Sequence, residues 1–209
     1  GAQIERNWLP AAGFFSDWPR SAKELSVFDP CMGSGHFLVF ALPILVQMRI
    51  LEESLTIEEA ISAVLAENLF GVELDDRCAQ IAAFNLALTA WKIAGFCQLP
   101  ELNIACCGKS LSKHDVEVVK PFLSADYARN LQSLLTLSNL FPLLGSIVKL
   151  QEMDWHVGFL EGVDLSKSVS ADEGRELVVA AKGIVDALRI LSRKYTLVIS
   201  NPPYLSSNN

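Results

Sequence analysis

The chain has 209 residues, half of them apolar, with five cysteines and a formal net charge of −7. That length holds one substantial α/β domain, or one domain with an insertion. The acidic balance, with no Lys/Arg cluster, excludes these residues acting alone as a high-affinity nucleic-acid binder, because neutralising phosphates takes clustered cations.

Residues 1–24 read as an irregular arm, with Trp8, Phe14, Phe15 and Trp18 among prolines and a glycine. No signal peptide is visible in it. Leu25–Asp29 is a short apolar run stopped by Pro30 and a glycine turn, the pattern of a buried strand. From Gly35 to about Ser54 the pattern is helical. Its apolar stretch, Phe37–Met48, is interrupted by Pro43, followed by Arg49 and too short to span a bilayer, so a buried helix is expected. Thr56-Ile-Glu-Glu59 is a capping box that opens a second helix, to about Glu67. Asn68–Leu74 is a second strand candidate. A long helix follows, with Cys78, Ile81, Leu88 and Trp91 near one face and Gly95 as its C′ residue. Leu102–Cys107 is a third strand, ending at Gly108.

Residues 112–194 read as a mainly helical insertion. Helix is expected over roughly 124–140, and Leu177, Ala181, Ile184, Leu188 and Leu191 then fall at amphipathic spacing. Residues 195–209 hold a last strand, 195–200, and a loop. The order β-α-α-β-α-β, insertion, α-β predicts an α/β fold: a mostly parallel sheet with helices on both faces. Cys31, Cys78, Cys97, Cys106 and Cys107 show no CxxC pair and no histidine at ligand spacing. They are expected to be reduced thiols of a cytoplasmic protein, packed as small apolar residues, and no metal is expected.

Three motifs carry chemistry. Asp29-Pro-Cys-Met-Gly33-Ser-Gly35-His-Phe37 joins the first strand to its helix. Glycine there accepts positive φ and lets a ligand approach the backbone, while the helix start offers free N–H groups. Many such turns need glycine for packing alone. The second motif is Gly71-Val-Glu73-Leu-Asp75. In doubly wound folds an acid at this strand end binds both hydroxyls of a ribose. Glu73 lies 38 residues after Gly35, and the Thr56–Glu67 helix accounts for the extra length beyond the usual ~20. Asp75 and Asp76 fit a helix cap or a solvated acid better.

The third motif, Asn201-Pro-Pro-Tyr204, follows the last strand. Two prolines end a strand because each fixes φ and removes a donor. The Asn201 side-chain oxygen and the fixed Pro202 carbonyl make two close acceptors, suited to an exocyclic NH₂ group. If that nitrogen attacks a methyl cation equivalent, its growing positive charge is stabilised by both. Tyr204 can stack on the ring bearing the amine.

In order and position these motifs resemble the S-adenosylmethionine-dependent amino-methyltransferases of DNA. DPCMGSGHF is similar to their motif I, GVELD to motif II and NPPY to motif IV, over about residues 25–111 and 195–204. The NPPY form implies N6-adenine rather than N4-cytosine methylation, and the NLFGVELD setting resembles large modification enzymes of restriction or phage-defence systems. The resemblance implies a Rossmann-like methyltransferase fold whose cofactor-binding half is 25–111. It places the backbone of Cys31, Met32 and Gly33 against the methionine part of S-adenosylmethionine, with Asp29 and Gly35 shaping the turn. Glu73 would take the ribose, Leu74 would pack on the adenine, and the Ser110 backbone would contact the same ring. Asn201 and Pro202 would hold the target amine, with Pro203 fixing the corner and Tyr204 stacking on a flipped base.

Two departures stand out. Where the family carries an Asp after glycine, this chain has Gly108-Lys109-Ser110-Leu111, and lysine cannot supply the missing acceptor. The chain also looks like a fragment of a larger enzyme, inactive by itself, whose DNA-reading surface lies elsewhere. The alternatives left open are a protein-glutamine N5-methyltransferase, which also uses NPPY, and a non-catalytic cofactor-binding module. A nicotinamide-binding oxidoreductase fits the glycine turn but leaves NPPY without a role.

Overall fold

The computed structural model describes residues 16–108, Glu117 and residues 172–201, with the backbone alone over 172–181. The expected helix at 124–140, the arm before Ser16, Lys109, Ser110 and Pro202–Tyr204 lie outside the described residues. After a 3₁₀ turn at Ala22–Glu24 come β1 (Val27–Asp29), α1 (His36–Glu53), α2 (Ile57–Glu67), β2 (Leu69–Glu73), α3 (Asp76–Ala94) and β3 (Ile104–Cys106). Then follow α4 (Asp172–Leu191) and β4 (Leu197–Val198).

The described strands form one all-parallel sheet in the order β3-β2-β1-β4. The fold is α/β, as the alternating pattern predicts. Val27 pairs with Leu69 and with Leu197, and Glu73 pairs with Cys106. At its start β4 is clasped to β1 in both directions: the Thr196 N–H donates to Ser26 Oγ (3.0 Å) and the Ser26 N–H to Thr196 Oγ1 (3.3 Å).

Side chains alternate across the sheet, and a core forms on each side. Val27 and Leu69 join a cluster with Leu38, Leu42 and Val46 of α1, Ile61 and Leu65 of α2, and Ala82, Leu86 and Ala90 of α3. Phe28 and Phe70 point the other way and meet Tyr195, with ring centroids 4.5 and 5.2 Å apart. The crossovers β1-α1-α2-β2 and β2-α3-β3 run one way across the sheet, and the return to β4 runs the other. Right-handed connections therefore place α4 opposite α1–α3. α4 packs on β3 and β2, burying Ile184, Ala187, Leu188 and Ile190 outside the first cluster.

The local signals explain the element ends. Thr56 and Glu59 make both bonds of the capping box, the Glu59 N–H reaching Thr56 Oγ1 and the Thr56 N–H reaching Glu59 Oε2. Asp75 caps α3 by accepting the Arg77 N–H at 2.9 Å.

Three expectations need correction. α3 buries Ala82, Leu86 and Ala90, whereas Ile81 is 48% exposed, so the inward stripe is two alanines and a leucine. α1 is buried on one side only: Leu38, Leu42, Leu45, Val46 and Arg49 face inward, while Phe40 and Ile44 are 69% and 62% exposed. It lies on a sheet face beside α2 and α3 and is not wrapped all round. Of the five free cysteines only Cys107 is buried; the others are half-exposed. No described helix is long and apolar enough to cross a membrane, and no metal-binding cluster occurs among the described residues.

Candidate active site

Because every strand is parallel, Asp29, Glu73, Cys106 and the segment after Val198 leave the sheet at one edge. Open α/β sheets bind ligands there. Asp29 ends β1 and is 1% exposed; its Oδ1 accepts the Cys31 N–H at 3.1 Å and so folds the chain back after Pro30. Burial pushes its carboxyl above the usual range, against the Cys31 N–H and the nearby Ser200 hydroxyl, which pull it down. The Cys31 thiol is likewise pushed up by burial. The Ser200 hydroxyl is buried close to both groups but makes no well-formed hydrogen bond.

Met32 turns inward, 4% exposed, and its N–H donates to the Val72 carbonyl at 3.1 Å. That bond ties the loop to β2. Gly71 makes room for Met32: a Cβ there would run into its sulfur, which would have to shift. Gly33 and Gly35 take φ of 53° and 79°. At Gly33 an added Cβ would meet no described atom within 4 Å. At Gly35 it would come within 2.9 Å of the Ala82 Cβ, so α3 closes the loop from behind.

Glu73 bridges the two motifs. Its Oε2 accepts the Gly33 N–H at 2.7 Å, and its Oε1 accepts the N–H groups of Leu74 (2.7 Å) and Asp75 (3.0 Å). A carboxylate has about four lone-pair positions, and these bonds use three. Leu74 beside it is 41% exposed, an apolar side chain open to the same edge. Gly108, leaving β3, lies so close to the Leu74 carbonyl that no side chain fits between them.

β4 carries the catalytic candidate. The Ile199 N–H donates to the Phe28 carbonyl at 2.9 Å, which sets Ser200 beside the Asp29 turn. Asn201 comes next and is exposed. The described candidates Asp29, Cys31, Met32, Gly33, Gly35, Glu73, Leu74 and Asn201 thus stand at neighbouring strand ends.

Some contributors escaped the motif reading. Asn85 on α3 donates from Nδ2 to the Ser34 carbonyl at 3.0 Å. An asparagine in mid-helix is a poor helix former, and that was its visible signal. Asn68, fully buried, donates to the Ala22 and Leu25 carbonyls (2.8 and 2.6 Å) and accepts from Arg49 Nη1 at 3.1 Å. It fixes the approach to β1.

Residues 17–103 match the family described as "MmeI, DNA-methyltransferase domain". Two long relatives are similar to almost the whole chain. The adenine-specific methyltransferase PglX of Lacticaseibacillus casei is 25% identical over 208 residues, 90% of this chain and 16% of that protein. The adenine-specific methyltransferase BrxX of Escherichia coli O9:H4 is 27% identical over 212 residues, 88% of this chain and 17% of that protein. A putative type II restriction enzyme and methyltransferase of Methanocaldococcus jannaschii is 36% identical over 70 residues, 31% of this chain and 6% of that protein. The chain spans about a sixth of the length of PglX and BrxX and less of the third.

Proposed function

We propose that this chain supplies the cofactor-binding loops and the catalytic corner of an enzyme that methylates the N6 amino group of adenine in DNA, with S-adenosylmethionine as methyl donor. The observation that carries the reading is the parallel register. It sets the glycine loop, Glu73 and Asn201 at adjoining strand ends, in a chain similar to adenine-specific methyltransferases over nearly its whole length. The open side of Gly33, the exposed Leu74 and the carboxylate of Glu73 fit such a cofactor: close approach to the backbone, an apolar seat for a purine and an acceptor for hydroxyls.

When bound, S-adenosylmethionine supplies a methyl group made electrophilic by its positive sulfur. The chain's own residues do the rest. The Asp29–Gly35 loop, with Cys31, Met32 and Gly33 facing the methionine part, holds one end. Glu73 would take the ribose hydroxyls with the acceptor position its three backbone bonds leave open, with Leu74 and Ser110 at the adenine end. Asn201 Oδ1 and the Pro202 carbonyl would accept hydrogen bonds from the two N–H groups of the target amine. As that nitrogen gains positive charge both acceptors bind it more tightly, which lowers the barrier more than the ground state. Pro203 keeps the corner rigid, and Tyr204 stacks on the flipped base. The acidic charge of this chain leaves phosphate contacts to other parts of the protein.

The test is single-turnover transfer of labelled methyl to DNA by the full-length protein, followed by nucleoside analysis. Asn201→Ala is expected to slow transfer by roughly 10²–10³, as losing one preorganised partner does, with cofactor and DNA affinity little changed. Transfer at the wild-type rate, or a product other than N6-methyladenine, would overturn the reading.

A further inference from the structure

We infer that Asn85 is a positioning residue for the cofactor loop, acting through the Ser34 carbonyl; this rests on the cofactor reading above. The loop has two left-handed glycines, Gly33 and Gly35, on either side of Ser34. The hydrogen-bond ladder of α1 starts one residue later, with the Val39 N–H on the Gly35 carbonyl. The Ser34 carbonyl therefore lies outside the ladder, and its described partner is Asn85 Nδ2 at 3.0 Å.

Asn85 stands three residues after Ala82, so the two share one face of α3. Ala82 blocks Gly35 from behind, and Asn85 holds the neighbouring peptide by its oxygen. On the other side Glu73 holds the Gly33 N–H. The loop is thus gripped between Glu73 and α3, the helix that Glu73 leads into. The peptide between Ser34 and Gly35 is held at both ends: the Gly35 N–H donates to the Met32 carbonyl at 2.8 Å, and the Ser34 carbonyl accepts from Asn85. Without Asn85 the carbonyl end is free, and a segment between two glycines shifts at little cost, which would misplace the loop for a ligand. Leucine at this partly buried position keeps the bulk and cannot make the bond.

The consequence is a particular split in the kinetics. In the full-length protein, Asn85→Leu keeps the side-chain size and removes the donor. It is expected to weaken S-adenosylmethionine binding by about tenfold, the loss of one ordinary hydrogen bond, in titration calorimetry and in KM for the cofactor. The transfer rate at saturating cofactor should stay near wild type, and Asn85→Gln, which keeps the donor, should restore most of the affinity. Wild-type affinity in the leucine variant, or a fall in rate with KM unchanged, overturns the inference. So does a variant that only melts earlier while its folded population binds normally. Glu73→Ala belongs in the same titration. If it too binds like wild type, the cofactor assignment fails; if it weakens binding and Asn85→Leu does not, only the role of Asn85 falls.

Discussion

Asp29 shows how much a single position here depends on its surroundings. It is an acid at 1% exposure, and desolvation raises its pKa above the ordinary 3.8. A carboxyl whose pKa is raised on folding favours the native state below its unfolded value, and that contribution is lost as pH rises through the folded value. Near neutral pH its charge is therefore a cost, accepted so that Oδ1 can hold the Cys31 N–H. Asn keeps that acceptor and removes the charge. Asp29→Asn is expected to melt about 2–4 °C above wild type at around pH 8, the effect of roughly 1 kcal/mol in a chain this size, with the gap closing toward pH 4. Thermal unfolding at the two pH values checks it; an equal gap at both would sink the explanation. Other residues of this region were partly legible beforehand. Asp75 as a helix cap could be read from its place before the apolar pattern. Arg49 could not: it reads as the polar end of an apolar run, yet it is 2% exposed and bonded to Glu53, Glu67 and Asn68. Two of those partners are 18 and 19 residues away, a relation that no periodicity contains.

Among the elements, those with chemical punctuation were the legible ones. The capping box placed the start of α2 to the residue, because its bonds are local. Thr56→Ala removes the acceptor for the Glu59 N–H and is expected to cost about 1 kcal/mol, seen as a lower urea midpoint with an unchanged slope. A changed slope would mean that the helix end does more than cap. The inward face of α3 was misread because hydrophobic scales favour large side chains. At two of its buried positions packing takes alanine: Ala82 lets Gly35 approach, and Ala90 lies with Leu86 in the cluster beneath α1 and α2. β4 was expected over six residues and pairs regularly over two, Leu197 and Val198, both exposed. It is bonded on one side, to β1.

For the molecule as a whole, the alternation of strands and helices was enough to give the α/β class, but not the order β3-β2-β1-β4, which depends on which edge the last strand joins. That last joint is the weak one. In hydrogen exchange on this chain, the Leu197 and Ile199 amides, bonded to Ser26 and Phe28, should open well before the Gly71 amide, which bonds to Asn103 inside the sheet. Equal protection would show that β4 is part of the cooperative core. The joint between β1 and β4 also spans time. Ser26 and Thr196 are 170 residues apart, and Leu197 comes 91 positions after Cys106 (197 − 106). At typical rates of synthesis those 91 residues take roughly 5–20 s to leave the ribosome. The elements that carry the glycine loop, Glu73 and Asn85 emerge first. For those seconds the nascent chain has the proposed donor-binding loop and none of the proposed corner for the base.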